Sequence, residues 1–303
     1  MRILSIFYPV SFAISTLCAA ESYQESLYPD WRQTFEITKM IHQEKTDIWD
    51  VAIFENPIFG RVLAIDGTIQ TTERDEFVYH EMLVHPALIA HGKASSVLIV
   101  GGGDGGALRE VLRHKDVEKV VLVEIDRGII DLTKLYMPTL SNGAFEDPRV
   151  EVVIQDAAVY LKETDKMFDV IFSDSCDPMG PCSVLFTKEF YGDCKNHLNV
   201  GGIFVNQNGA PFLQKEEYAS SVENRKAHFQ NVTFYVAPIP TYVGGFMAFG
   251  WASDALYKPN LATVKKRLQK VSGKMKYYTP ALQKGAFALP AFMLPQKKAS
   301  NQQ

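Results

Sequence analysis

A chain of 303 residues, 47% of them apolar and 22% charged, can bury one large core or a core with a small satellite domain, and this excludes a disordered chain. Its formal net charge is −4, from 31 lysines and arginines against 35 aspartates and glutamates, and the basic residues are dispersed rather than striped, so nucleic acid has no general attraction to it. A small cationic substrate suits this balance better.

In chain order, Arg2 precedes an apolar stretch from Ile3 to Leu17 that ends in Cys18-Ala19-Ala20. This resembles a secretory signal peptide, interrupted by Pro9 and too short for a stable membrane span. Residues 1–21 are therefore read as a signal-like or non-core extension, with export the alternative to a cytoplasmic location if they act as a signal. From Thr34 to Thr72, β-prone pieces such as Trp49–Phe54 and Arg61–Ile65 alternate with Asn56-Pro57 and Asp66-Gly67, which predicts the hairpins of a small antiparallel domain over residues 22–76. A helix is expected from Glu73 to about Ala90, since Phe77, Met82 (or His80), Val84 and Leu88 recur near helical spacing behind an acidic first turn. It carries Tyr79 and His80.

After Lys93, strands at Val97–Gly101, Val120–Ile125, Val150–Gln155, Val170–Ser173, Ile203–Asn206 and Thr233–Ala237 alternate with helical stretches. That alternation predicts a parallel doubly wound sheet, here placed within residues 77–292. Beyond Pro259 an amphipathic helix is expected over Leu261–Val271, followed by a frayed tail over 293–303.

The first of these strands enters Gly101-Gly102-Gly103-Asp104-Gly105-Gly106, and the second ends on Glu124-Ile125-Asp126. Glycines let backbone approach a ligand, and an acid about twenty residues on is placed to grip a ribose diol. Asp104 is the anomaly. A dinucleotide pyrophosphate would need uncharged donors in that turn, and a carboxylate repels phosphate, so the ligand expected is a nucleoside carrying a cation. Ligands bind where the strand C-termini converge, and that rim carries Asp104, Glu124, Asp126, Asp156, Asp174 and Asp177. So many carboxylates repel one another unless cations or hydrogen-bond donors stand between them, although any single one could simply cap a helix. Cys18, Cys176, Cys182 and Cys194 form no CxxC pair and have no partnering histidine spacing, which supports neither a zinc site nor a redox motif. No metal is expected.

The segment Val97–Glu110, VLIVGGGDGGALRE, resembles the glycine signature of the spermidine synthase (polyamine aminopropyltransferase) family, bacterial type. Gln70–Met82, Asp174–Pro181 and Pro238–Tyr242 resemble further blocks of that family in the same order, and the likeness runs from about Tyr23 to about Phe292. It implies a Rossmann-like doubly wound sheet of the nucleoside-dependent transferase type, with Thr233–Pro238 paired antiparallel to Phe246–Trp251 at one edge. It also implies an activity: transfer of the aminopropyl group of decarboxylated S-adenosylmethionine, a co-substrate rather than a cofactor, to putrescine, giving spermidine and methylthioadenosine.

By the same resemblance Asp174 is the proton acceptor, and Gln70, Asp104, Glu124, Asp156, Ala157 and Pro181 bind the donor. Tyr79, His80, Asp104, Asp174, Ser175, Cys176, Asp177 and Tyr242 line the acceptor channel, while Ser175–Phe186 forms a gatekeeping loop. Trp49, where relatives commonly place a glutamine, Ala157, where Asp-Gly is usual, Tyr23 and Cys182-Ser183-Val184 depart from the pattern. A homodimer or homotetramer is expected by analogy, with no nucleic-acid or membrane partner and a cytoplasmic location. The alternatives are an NAD-type or other nucleoside-dependent enzyme, and an exported polyamine- or nucleoside-binding protein.

Overall fold

The computed structural model describes residues 21–294; the signal-like segment up to residue 20 and the tail beyond Leu294 lie outside the described residues. The N-terminal part opens with a two-stranded hairpin, β1 (Ser22–Gln24) with β2 (Thr34–Glu36), and continues as a four-stranded antiparallel sheet in sequence order. Its strands are β3 (Lys39–Lys45), β4 (Asp50–Asn56), β5 (Gly60–Ile65) and β6 (Thr68–Thr72). Asp66 and Gly67 join β5 to β6 with Ile65 opposite Thr68 and positive φ at both turn residues, 48° and 80°, the backbone a tight hairpin turn requires.

The second part is a seven-stranded sheet of β7 (Ser96–Gly101), β8 (Lys119–Glu124), β9 (Val150–Ile154), β10 (Phe168–Asp174), β11 (Leu198–Gln207), β12 (Asn231–Ala237) and β13 (Met247–Ser253). Their order is β12-β13-β11-β10-β7-β8-β9. Pairing is parallel from β11 through β9, while β13 runs antiparallel to both β11 and β12. This is the predicted Rossmann-like sheet with its antiparallel edge. Residue alternation sorts its side chains onto two faces. Val97, Ile99, Val170, Phe172, Ile203 and Val205 join one buried cluster, and Leu98, Val100, Ile171 and Phe204 join the other. The central strands carry continuous apolar stretches, Val97–Val100, Val120–Val123, Val170–Phe172 and Ile203–Val205, because both of their faces are covered.

Helix α1 (Glu76–His91) belongs to the first cluster and departs from its expected form in two ways. It starts at Glu76 rather than Glu73, because Asp75 accepts from Thr72 Oγ1 at 2.6 Å and from the Thr241 amide at 2.7 Å, which ties the preceding turn to a remote loop. Its burial is not a stripe: Glu76, His80, Glu81 and His85 are buried along with Met82, Leu83 and Val84. Each buried apolar side chain of this size contributes about 1.5–3 kcal/mol, and each buried charge needs a partner. Glu81, for example, accepts the backbone amides of Lys276, Tyr277 and Tyr278 at 2.7–2.9 Å. The C-terminal amphipathic helix is shorter than expected, Leu261–Leu268, because Val271 leaves it to form a β-bridge with His114.

Candidate active site

The C-terminal ends of β7, β8 and β10 open into a cavity roofed by the N-terminal sheet and the loop after β10. Tight glycine geometry forms its floor. Gly101 and Gly102 have φ of 76° and 71°, and the Gly102 amide donates to the Asp174 carbonyl at 2.9 Å. A side chain at Gly101 would stand 2.2 Å from that carbonyl oxygen. Gly101→Ala is therefore expected to destabilise the protein by more than about 1 kcal/mol and to weaken ligand binding at the turn. Thermal denaturation with and without methylthioadenosine checks both, and an unchanged melting temperature would count against this geometry.

Helix α2 (Gly106–Leu112) follows the turn, and helix α3 (Arg127–Tyr136) follows β8. A Cβ at Gly102 would lie 3.1 Å from Asp174 Oδ2, and one at Gly103 would lie 2.9 Å from Glu124 Oε2. The bare turn thus separates two carboxylates. Of the rim acids expected from sequence, Asp104, Glu124, Asp156, Asp174 and Asp177 line the cavity, joined by Glu25. Among the described residues no lysine or arginine lines it, and its one basic group is His80. Gln70, Tyr79, Ala157, Ser175, Cys176, Pro181 and Tyr242 line it too, as does Trp49. The Ser175 hydroxyl is buried without a partner.

Asp126 is corrected. It does not line the cavity; its side chain caps α3 by accepting from the Gly128 amide at 2.8 Å, and it accepts from Thr46 Oγ1 at 2.5 Å. Asp156 does both, capping the helix Ala157–Glu163 through the Ala158 amide at 2.7 Å while lining the cavity. Three groups expected to present polar tips already use them, Tyr79 by donating its hydroxyl to Asp174 Oδ1 at 2.6 Å. Tyr242 donates its hydroxyl to the Gln70 carbonyl at 2.5 Å. His80 has Glu76 at Nδ1, 2.7 Å away, and Asp104 at Nε2, 3.4 Å away.

Burial raises the Asp174 carboxyl to about 6; the His80 cation opposes the rise, the Asp104 charge adds to it, and the Tyr79 hydroxyl, donating at 2.6 Å, opposes it. Burial also pushes Asp104 upward, but His80 and the Gly106 amide outweigh that and hold it below the ordinary carboxylate range. The neighbouring carboxylates thus differ: one is held ionised, the other poised near neutrality. Burial raises Glu124 to about 7, against the amides of Asp126, Ile125 and Gly103, and raises Asp177 against a 2.9 Å hydrogen bond from Gln214 Nε2. His80, Asp104 and Asp174 each offer a ligand atom within 4.8 Å of the others. Each nitrogen of the His80 ring faces a carboxylate oxygen, an arrangement that suits an imidazolium better than a metal ligand.

Three features lay beyond sequence reasoning. Cys176 and Cys182 are joined by a disulfide with their Cα atoms 6.0 Å apart, a pairing the sequence reading did not foresee. A spacing of six has no pattern of its own, and the short 3-10 helix Gly180–Phe186 brings the pair together. Glu25 is fixed by the Ile69 amide at 3.0 Å and by Gln33 at 2.9 Å, while Gln214 arrives from beyond β11. Peptide mapping of the unreduced protein is expected to recover Cys176 and Cys182 in one linked fragment, with buried Cys194 alkylated only after unfolding. Recovery of Cys182 alkylated in the unreduced native protein would refute the pairing.

Residues 76–266 match the family model described as the spermine/spermidine synthase domain, and residues 21–73 match that of the spermidine synthase tetramerisation domain. The chain is 48% identical over 276 residues to polyamine aminopropyltransferases of Serratia proteamaculans (strain 568) and Yersinia pseudotuberculosis serotype O:1b (strain IP 31758), spanning 90% of this chain and 96% and 93% of those proteins. Among solved structures, it resembles spermidine synthase in complex with the transition state analogue AdoDATO, with a TM-score of 0.84 and 36% identity over 90% of this chain and 93% of that one. It also resembles spermidine synthase from Thermotoga maritima, with a TM-score of 0.82 and 36% identity over 90% and 92% of the two chains.

Proposed function

The chain belongs to the spermine/spermidine synthase family, and from that premise we propose that it moves the aminopropyl group of decarboxylated S-adenosylmethionine to putrescine, forming spermidine and methylthioadenosine. The observation that carries this reading is the cavity itself: six carboxylates with no lysine or arginine among the described residues. A sulfonium donor and a diamine acceptor supply the cations such a cavity needs.

Glu124 holds the ribose hydroxyls, Asp156 and Ala157 the adenine edge, and Gln70 and Pro181 complete the donor side. Asp104 takes the ammonium of the aminopropyl arm. Ordinary S-adenosylmethionine carries a carboxylate at that position and is disfavoured by like charge. The acceptor enters between Tyr79, Tyr242, Ser175, Cys176 and Asp177, with Glu25 at the far end; His80 acts there through Asp104. Its amine, with an ordinary pKa of about 10.4, arrives protonated and cannot attack. Asp174 takes that proton, the freed nitrogen forms a bond to the aminopropyl carbon, and the carbon–sulfur bond breaks to release neutral methylthioadenosine. Positioning and desolvation share the work with this weak base.

The assay is direct. Purified full-length protein, given decarboxylated S-adenosylmethionine and putrescine, yields spermidine and methylthioadenosine; turnover only with ordinary S-adenosylmethionine would overturn the reading. An NAD-type enzyme is set aside because Asp104 stands where a pyrophosphate would lie.

Assembly as a homodimer or homotetramer belongs to the same reading, supported by the match of residues 21–73 to a tetramerisation domain, and light scattering at micromolar concentration tests it. Cytoplasmic residence is proposed with the inferred function, since a substrate made in the cytosol argues for it. Among the described residues no helix is long and apolar enough to cross a membrane. The Cys176–Cys182 disulfide favours the exported alternative, since such bonds persist in oxidising compartments. Cell fractionation with the mass of the mature N-terminus decides between the two.

A further inference from the structure

His80 is buried, and each of its ring nitrogens faces a carboxylate: Nδ1 lies 2.7 Å from Glu76 Oε2 and Nε2 lies 3.4 Å from Asp104 Oδ2. A neutral imidazole has one N–H and one lone pair, and a lone pair aimed at a carboxylate oxygen is repelled. Only the doubly protonated ring satisfies both neighbours. The same Glu76 Oε2 also accepts from Arg109 Nη2 at 2.7 Å, and Arg109 Nε donates to Glu110 at 2.9 Å. Helix α2 abuts the imidazole where Gly106 has no side chain; a Cβ there would lie 2.2 Å from ring carbon Cε1. The ring is therefore fixed in place as well as in charge.

The groups facing this assembly come from every side. Glu76 and Tyr79 belong to α1, Asp104 to the glycine turn, Arg109 to α2, Asp174 to the end of β10 and Tyr242 to the loop after β12. Two buried carboxylates this near one another cannot ionise equally unless something distinguishes them. A cation at 3.4 Å from Asp104 does so.

We propose that Glu76 is a positioning residue that keeps His80 doubly protonated against Asp104, so that Asp104 retains its charge and Asp174 is the member of the pair that receives the substrate proton. The depressed Glu76 and the strongly raised His80 agree with this, each arising where burial is outweighed by the opposite partner. The inference deepens the aminopropyltransfer reading and rests on it for the identity of the proton donor; the charge state of His80 does not.

The test has two parts. Carbon-13 resonances of the histidine rings in the ligand-free native protein, with His80 assigned from their loss in His80→Asn, are expected to show an imidazolium throughout pH 6–8. In Glu76→Gln the same ring is expected to become neutral within that range. The acidic limb of kcat should then move upward by roughly 1 pH unit or more, because Asp104 and Asp174 lose the cation that favoured their ionised forms. Turnover should fall at pH 7 and return to within about twofold of native at pH 9. A neutral His80 in the native protein at pH 7.5 overturns the proposal even if the variant fails to fold. So does a Glu76→Gln whose kcat falls by the same factor at every pH, since that is the mark of a purely structural role. Failure of native protein to make spermidine would instead strike the function and leave the ring measurement standing.

Discussion

Asp174→Asn is expected to lower kcat by roughly 10²–10⁴-fold, the usual magnitude for loss of a general base, while donor affinity stays close to native. The substitution is nearly isosteric, and the amide oxygen of asparagine can still accept the Tyr79 hydroxyl that donates to Asp174 at 2.6 Å. What disappears is the negative charge and the capacity to take a proton. With the native carboxyl raised to about 6, it is mostly ionised at pH 7 and binds the proton on transfer more readily than an ordinary aspartate. Native turnover should accordingly decline as the pH falls through that value, as Asp174 becomes protonated before the amine arrives. Titration of methylthioadenosine into the variant, beside its kcat at saturation, separates the roles. If Asp174→Asn lost donor binding and kept near-normal turnover, the proton-acceptor assignment would be wrong.

Asp104→Asn should fail differently. Its side-chain oxygen can still accept the Gly106 amide, which donates to Asp104 at 2.7 Å, so the glycine turn keeps its shape. The charge that meets the aminopropyl ammonium is lost. Affinity for decarboxylated S-adenosylmethionine is expected to drop roughly 10- to 100-fold, the range for a hydrogen bond to a charged group. Methylthioadenosine, which lacks the arm, should bind as before, and ordinary S-adenosylmethionine should gain ground because its carboxylate no longer meets a like charge. Calorimetric titration of the three ligands checks this pattern. Equal losses for donor and methylthioadenosine would show that Asp104 supports the turn rather than reading the arm.

The sequence by itself determined the features that are local in the chain. Alternation and apolar runs identified β7 to β12 because a strand's side chains repeat every second residue whatever lies opposite. Asp66-Gly67 announced a hairpin, and the glycine turn announced a close approach of backbone, because these conformations belong to residue types rather than to neighbours. The acids at strand ends could be read for the same reason: a strand's last residue lies on the rim wherever the sheet is packed.

Only the tertiary structure decided which way each acid turned and what it met. Asp126 and Glu124 are two residues apart, yet Thr46 from the N-terminal sheet and the start of α3 hold the first, while the second meets the glycine turn. Glu25, Gln214 and the Cys176–Cys182 pair are brought to the cavity by segments whose approach no pattern encodes. Glu76 and His80 stand four residues apart on α1, a spacing visible in the chain, but Arg109 and Asp104 reach them from α2 and the turn. A side chain's charge state depends on burial and on neighbours within a few ångströms, and both are properties of the packed molecule.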